Sequence, residues 1–286
     1  MKIRVGPAAI PTVNLSLITE MIKDCQDNRF TALELEFVRI TASEYPSSEI
    51  MKNIAISAHE RNIQLSIHGS LYINLATLEE SKVAIAKEHI NQGIRVSTAA
   101  SANLIFHAGY FQNLAHDIAI KKAITLLNSL QIPNPSKIFL ETPGKLNSIG
   151  NLSELLEIAA QTGIQIGIDW GHHYARTHGG GIKEPADILN VITTIENSIN
   201  QKFFHMHISG IEYTKKGEKK HRSFANSEFP LEIVIQTLQE VGISGTFICE
   251  SPERWKGDTE LIIKLLYGEK VFIPRKKRTT LYDYFR

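Results

Sequence analysis

Residues 137–169 have the sequence KIFLETPGKLNSIGNLSELLEIAAQTGIQIGID, and this stretch indicates the fold. An apolar run, Lys137–Glu141, ends in a carboxylate, and a second apolar run, Ile164–Asp169, ends in another. The segment between them has the apolar spacing of an amphipathic helix, with a start signal at Asn151 and a stop signal at Gly163. A strand, a helix and a second strand of this length form one βα repeat of a parallel sheet.

The same alternation of strand and helix extends along most of the chain. The eight predicted strands are Ile3–Ala8, Ala32–Val38, Leu65–His68, Asn103–His107, Lys137–Glu141, Ile164–Asp169, Phe203–Ile208 and Gly245–Glu250. A chain of 286 residues could hold two average domains or one α/β barrel. Strict alternation over eight units favours the second, so we predict an α/β fold, a single-domain (β/α)₈ TIM barrel over residues 1–271. Residues 272–286 form a short basic tail.

The composition indicates an ordinary soluble enzyme. Hydrophobic residues make up 43% of the chain and charged residues 21%, and the formal net charge is +1, so no global field attracts nucleic acid. The two cysteines, Cys25 and Cys249, are too few for a disulfide framework. Neither a signal peptide nor an apolar run long enough for a membrane helix is recognisable. We therefore expect a cytoplasmic, intracellular protein with no membrane partner.

Seven potential metal ligands follow the predicted strands, and active sites of such barrels form at the strand ends. They are His68, His107, Glu141, Asp169, His172, His207 and Glu250. A single strand-end histidine is usually a hydrogen-bonded structural residue, and a lone carboxylate is usually a salt bridge or a helix cap. Carboxylates crowded at one rim would repel each other, and cations remove that cost. More than four donors favour two or three ions, which suit in-line displacement at phosphorus.

The motifs that contain these residues resemble one known family. IHGSLYINLA, FHAGY, LETPG, IDWGHHYA, MHISG, an HR dipeptide after a basic loop, and CESPE occur in this order up to about residue 270. They are similar to the motifs of the endonuclease IV family, AP endonucleases within the xylose isomerase-like TIM barrels. The resemblance implies a nucleoid-associated hydrolase of base excision repair. It would cut the phosphodiester 5′ to an abasic or damaged nucleotide in double-stranded DNA.

The resemblance also implies a ligand set, with zinc as the expected ion and manganese as the alternative. One zinc would bind His68, His107 and Glu141, and a second would share Glu141 and bind Asp169, His207 and Glu250. Glu141 and Glu250 are the implied catalytic residues.

A third zinc in the family uses a histidine matching His172 and an Asp-x-His pair. His221 matches the pair's histidine, but Lys219 stands in place of the aspartate, and an ammonium group cannot bind a cation. Three outcomes stay open. Glu218 takes the aspartate's place through a shifted loop, the third ion is absent or weak, or the charge of Lys219 replaces it.

Other residues are expected to contact DNA. Leu71 and Tyr72 match the positions where the family inserts an aliphatic and an aromatic residue into the duplex, with the two types exchanged. The alternative is that both pack over the barrel rim. The loop Lys215–Arg222 is basic, and the expected phosphate contacts are Lys219, Lys220, Arg222 and, after the second strand, Arg39. A solvated lysine loop is the usual explanation of such a run.

The final residues, RTTLYDYFR, resemble a sliding-clamp (PCNA) interaction motif. Leu281, Tyr284 and Phe285 fit its apolar positions, and Arg278 replaces its glutamine. In one helical turn the three apolar side chains share a face, which would fill a pocket on a clamp. The alternative is that the tail packs on the barrel.

Two further functions are compatible with the same residues. A sugar isomerase or epimerase of this superfamily needs one divalent ion, which Glu141, Asp169, His207 and Glu250 would hold. Such an enzyme does not need His68, His107 or the basic loop. The other alternative is a non-enzymatic, clamp-associated DNA-binding protein whose metal site has decayed at Lys219.

Overall fold

The computed structural model describes residues 2–9, 12–252 and 255–269. Eight parallel strands form one sheet in the order β1-β10-β7-β6-β5-β4-β3-β2. The bounds are β1 Lys2–Pro7, β2 Ala32–Glu36, β3 Gln64–His68, β4 Asn103–His107, β5 Ile138–Glu141, β6 Gln165–Asp169, β7 Phe203–Ile208 and β10 Ser244–Cys249. The predicted strands agree with these to within two residues at each end.

Strands β1 and β2 bring the two ends of the sheet together. The Thr31 N–H donates to the Val5 carbonyl at 2.8 Å, and the Ala9 N–H donates to the Glu34 carbonyl at 2.8 Å. Gly6 allows this approach, because a Cβ there would overlap the Ala32 carbonyl oxygen. The sheet is therefore a nearly closed barrel, and the predicted (β/α)₈ fold is confirmed.

Helices alternate with the strands and cover the outside of the barrel. Their bounds are α1 Leu15–Asp27, α2 Ser48–Glu60, α3 Glu80–Ala99, α4 His116–Asn128, α5 Leu152–Thr162, α6 Trp170–Arg176, α7 Pro185–Ile199, α8 Leu231–Val241 and α9 Trp255–Leu266. Helix α5 begins and ends as predicted. The Asn151 side chain accepts from the Glu154 N–H, and Gly163 closes the helix at φ 74°.

The sequence analysis missed the short helix α6, which follows β6, and a hairpin that follows β7. Residues Gly210–Thr214 and Gly217–Arg222 form an antiparallel hairpin, β8 and β9, directly after β7. The sequence indicated only a basic loop here, because GIEYTKKGEKKHR lacks the apolar alternation of a half-buried strand. The hairpin lies over the rim where the predicted ligands are, so it adds to the site.

The sequence analysis also made expectations about membrane helices and about the C-terminal tail. Across residues 2–9, 12–252 and 255–269, no helix combines the length and hydropathy needed to span a bilayer. The predicted clamp-binding residues Arg278, Leu281, Tyr284 and Phe285 lie outside the described residues, as does the whole tail. Clamp binding therefore stays a prediction.

Candidate metal centre

The predicted strand-end ligands meet at the carboxyl-terminal rim of the barrel, around a cavity of about 500 Å³. The ionisable side chains at the bottom and sides of this cavity are Glu36, His68, His107, Glu141, His172, Glu218, His221 and Glu250. Asp169 and His207 are fully or almost fully buried beneath them. All the donors are nitrogen or oxygen, the set that zinc and manganese accept.

Glu141 lies at the centre of the cluster and has a different neighbourhood on each carboxylate oxygen. Its Oε2 lies 3.1 Å from His68 Nε2 and 3.4 Å from His107 Nε2. Its Oε1 lies 3.0 Å from His207 Nδ1 and 3.3 Å from His172 Nδ1. One buried carboxylate therefore contacts four histidines, two through each oxygen, as a bridging ligand would. By the distances between ligand atoms, Glu141 and His207 group with His68, whereas Glu141 and His172 group with His107. The expected set of His68, His107 and Glu141 is not among the compact groups of the described residues.

The donors expected for the second ion form a compact group. Ligand atoms of Glu141, Asp169, His207 and Glu250 all lie within 4.8 Å of one another. Asp169 Oδ1 accepts from the His172 N–H at 2.7 Å and so caps α6. Its other oxygen, Oδ2, is buried, accepts no hydrogen bond from any described residue, and lies 3.2 Å from His172 Nδ1. Two ligand atoms this close, one of them a buried carboxylate oxygen without a hydrogen bond, fit a cation at this point.

The ionisation of the cluster also fits a metal site. Burial, with the carboxylates of Asp169 and Glu141 nearby, raises the pKa of Glu250 well above its ordinary value, although the charge of His207 opposes this. Burial lowers the pKa of His107 to about 4. Burial also acts to lower the pKa of His68, but the hydrogen bond and charge of Glu141 outweigh it and raise that pKa to about 9. Some donors therefore hold protons that a bound ion would displace.

The third group of donors depends on an irregularity in the β8–β9 hairpin. Glu212 pairs with Lys220, whereas the next residue, Tyr213, pairs with Glu218. Lys219 is therefore an extra, unpaired residue in β9, a β-bulge. Residues three apart in a regular strand point to opposite faces. The bulge shifts the alternation by one, so that Glu218 and His221 share a face.

This face is turned toward the cavity. His221 Nε2 lies 3.1 Å from His172 Nε2, and Glu218 Oε2 lies 3.5 Å from the same atom. Gly144 provides the room, because a Cβ there would come within 2.5 Å of Glu218 Cβ. The Lys219 ammonium instead pairs with Glu212 on the outer side of the hairpin and is largely exposed. Ligand atoms of Asp169, His172 and His221 lie within 4.8 Å of one another, and Glu218 lies outside this compact group. Glu218 as the replacement for the family's aspartate therefore stays a prediction.

Three polar residues inside the barrel were missed by the sequence analysis: Glu34, Glu36 and His205. Glu36 lines the cavity, and burial together with the charges of Glu34 and Glu141 raises its pKa to about 7. Glu34 and His205 are fully buried below the ligands. A signal was present, since the glutamates of ALELE occupy alternate positions of an otherwise apolar strand.

Some of the residues predicted to contact DNA line the cavity, and others do not. Leu71 and Arg39 line the cavity mouth. Tyr72 is 56% exposed and packs its ring near His89, with 5.7 Å between ring centroids. Arg222 pairs with Glu212, as Lys219 does.

The remaining predicted contact, Lys220, is exposed and does not line the cavity. Lys145 and Tyr110, which were not predicted, do line its mouth.

Fold and site together define a metal-binding barrel with its donors on one rim. The chain belongs to the Xylose isomerase-like TIM barrel family, whose model matches residues 22–267.

One relative supports this membership, and two solved structures share the fold. The chain is 33% identical over 229 residues to the uncharacterised protein MJ0133 of Methanocaldococcus jannaschii, covering 77% of this chain and 82% of that protein. Endonuclease IV from Thermus thermophilus superposes with a TM-score of 0.65 at 15% identity, covering 93% and 99% of the two chains. A D-tagatose 3-epimerase-like protein superposes with a TM-score of 0.69 at 17% identity, covering 94% and 97%. These likenesses define the fold, and the reaction must be argued from the site.

Proposed function

We propose that this protein is a metal-dependent DNA repair endonuclease, which hydrolyses the phosphodiester 5′ to an abasic or damaged nucleotide. The observation that carries the proposal is the position of Glu141. Each of its two oxygens lies within 3.4 Å of two histidine nitrogens, which suits ions that share Glu141 as a ligand. Sites with adjacent divalent ions are typical of phosphodiester hydrolysis, where both the attacking and the leaving oxygen need stabilisation.

The donors divide into three groups. His68, His107 and Glu141 would hold one ion, and Glu141, Asp169, His207 and Glu250 would hold a second. Asp169, His172 and His221 would hold a third, with Glu218 as a further ligand. Divalent ions, zinc or manganese, would supply Lewis acidity toward the phosphate oxygens and lower the pKa of the attacking water.

Two glutamates of the protein have further roles in the proposed reaction. Glu141 stays ionised because His107, His207 and His172 lower its pKa well below the ordinary value, against the effect of burial. Glu250 lies at the cavity surface, with Oε2 3.5 Å from His221 Nδ1. Because its carboxylate faces the cavity, we assign Glu250 the role of accepting a proton from the attacking water.

The cavity mouth favours a nucleic acid over a small polar substrate. Arg39 and Lys145 place two cations at the opening, where phosphates would approach. Leu71 and Tyr110 line the same opening and are 50% and 42% exposed. Exposed apolar and aromatic side chains beside a phosphate site suit insertion into a base stack or contact with an extruded nucleotide.

A sugar isomerase or epimerase is the second candidate. The compact group of Glu141, Asp169, His207 and Glu250 would hold one ion without help. This function leaves the histidines of the other two groups without a role, and it leaves the apolar residues at the cavity mouth unexplained.

The decisive experiment is incision of a DNA duplex that carries a single abasic site, with and without a chelator. The wild-type protein should cut on the 5′ side, and chelation or Glu250→Ala should abolish cutting. Glu240→Ala, which changes an exposed glutamate of α8, is the matched control and should leave the rate unchanged. Metal-dependent turnover of a ketose, with no cleavage of DNA, would establish the epimerase function instead.

A further inference from the structure

A polar layer lies inside the barrel, below the proposed ligands. Interiors of such barrels are normally filled by branched apolar side chains. Here Glu34 of β2, Ser66 of β3 and His205 of β7 occupy that space, and each is at most 3% exposed. Glu34 and His205 are separated by 171 residues of sequence, so the closed barrel alone brings them together.

Glu34 is the hub of this layer. The Ser66 hydroxyl donates to Glu34 Oε2 at 2.7 Å, and His205 Nε2 lies 2.9 Å from the same oxygen. The other oxygen, Oε1, lies 2.8 Å from His207 Nε2, an ion-pair contact without the alignment of a hydrogen bond, and His207 Nε2 also lies 3.2 Å from His205 Nε2. A fully buried carboxylate must be paired to be tolerated, and these three side chains provide the partners.

His207 lies between Glu34 and the carboxylates of the rim. The opposite ring nitrogen, His207 Nδ1, lies 3.0 Å from Glu141 Oε1 and 3.4 Å from Glu250 Oε1. A ring nitrogen that carries a proton cannot also bind an ion. When an ion faces Nδ1, the ring keeps a single proton, and the Glu34 carboxylate beside Nε2 favours that proton on Nε2.

We propose that Glu34 is a positioning residue, which selects the Nε2–H tautomer of His207 and thereby makes Nδ1 the metal-binding nitrogen. The inference rests on the metal centre of the proposed function, but not on the identity of the substrate. Ser66 and His205 hold the Glu34 carboxylate in place by binding its second oxygen.

A competing assignment uses the same residues. Ligand atoms of Glu34, His205 and His207 lie within 4.8 Å of one another, which would also accommodate an ion. That ion would need His207 Nε2 as a ligand, and His207 would then turn its protonated nitrogen toward Glu141. None of the three residues lines the cavity, so such an ion would have no open position for a substrate.

The test is Glu34→Gln, which keeps the size of the side chain and removes its charge. Zinc affinity, measured by chelator competition, should fall about 10–100-fold, the usual effect of losing an outer partner of a metal-binding histidine. The number of zinc ions bound at saturation should not change, and the visible absorption of the cobalt-substituted protein should shift. Glu240→Gln, which makes the same change at an exposed glutamate of α8, is the matched control and should leave the zinc affinity unchanged.

Three results would overturn the proposal. The first is loss of one zinc equivalent at saturation in the Glu34 variant, which would make Glu34 a ligand. The second is an unchanged zinc affinity of that variant with only a lower unfolding temperature. The third is a wild-type His207 protonated at Nδ1. The last is measured by nitrogen-15 NMR of the zinc-loaded wild-type protein, in which Nδ1 should bind the ion and Nε2 should carry the proton, so it needs no variant to fold. It also separates the two proposals, because a protein that cuts no DNA would still report the tautomer.

Discussion

The barrel strands and the β8–β9 hairpin contribute to one centre but fix their donors in different ways. His68, His107, Glu141 and Asp169 are each the last residue of a parallel strand that is paired with two neighbours. Glu218 and His221 belong to a two-stranded ribbon, and one bulged residue determines that they share a face. The barrel donors are thus positioned by the whole fold, whereas the hairpin donors depend on a single local register shift.

The largest expected effect is that of Glu141→Ala on the barrel side. Because Glu141 joins two groups of donors, its loss should remove both ions from the barrel strands. Several kcal/mol of transition-state stabilisation would disappear with them, a decrease of at least about a thousandfold in incision rate. Metal content by mass spectrometry and incision of an abasic duplex provide the measurement.

Glu157→Ala, an exposed glutamate on α5, serves as its control. Full metal content in the Glu141 variant would show that the carboxylate does not bridge the two groups.

On the hairpin side, Glu218→Ala should have a smaller and more selective effect. It should remove only the ion held with His172 and His221 and leave the barrel ions bound, so that metal content falls by one equivalent. Losing a direct ligand should weaken that ion by more than the about 10–100-fold caused by losing an outer partner. If all equivalents were lost together, the two regions would form one inseparable site.

The pH dependence of metal binding tests the barrel side again. The raised pKa of His68, about 9 against 6.5, means that its protonated ring stabilises the metal-free fold fully below pH 6.5. That contribution is lost as the pH rises through the folded-state pKa. An ion must displace the proton, so ion affinity should increase between these two pH values.

Zinc should therefore raise the unfolding temperature more near pH 9 than near pH 6.5, as measured by thermal denaturation. His68→Ala should lose the part of this dependence that lies in the same window. A pH-independent zinc effect in the wild-type protein would mean that His68 binds no ion.

The smallest effect is expected for deletion of Lys219. Removing the bulged residue leaves Glu218 two positions before His221, and residues two apart in a regular strand also share a face. The third ion should therefore remain bound, with an affinity within about tenfold of wild type, corresponding to about 1.4 kcal/mol. Loss of the ion, measured as metal content, would mean that the bulge does more than correct the register.

The sequence predicted the barrel and its rim because their signals are local and repeated. Glu141 and Asp169 each close an apolar run, and every parallel strand of a barrel ends on the same side. The role of Glu34 was not predictable in this way, because it depends on β2 facing β7 across the closed barrel. The role of Glu218 depends on a bulge, and the sequence places Lys219, not Glu218, two residues before His221.

The missing side chain at Gly144 links two distant positions of the chain. Glu218 occupies the volume that any larger residue at position 144 would need. The position of the Glu218 side chain on this hairpin therefore requires a glycine at position 144, after β5. Among barrels of this kind, inspection of these two positions alone should distinguish chains with a carboxylate from the hairpin from chains that keep only the barrel donors.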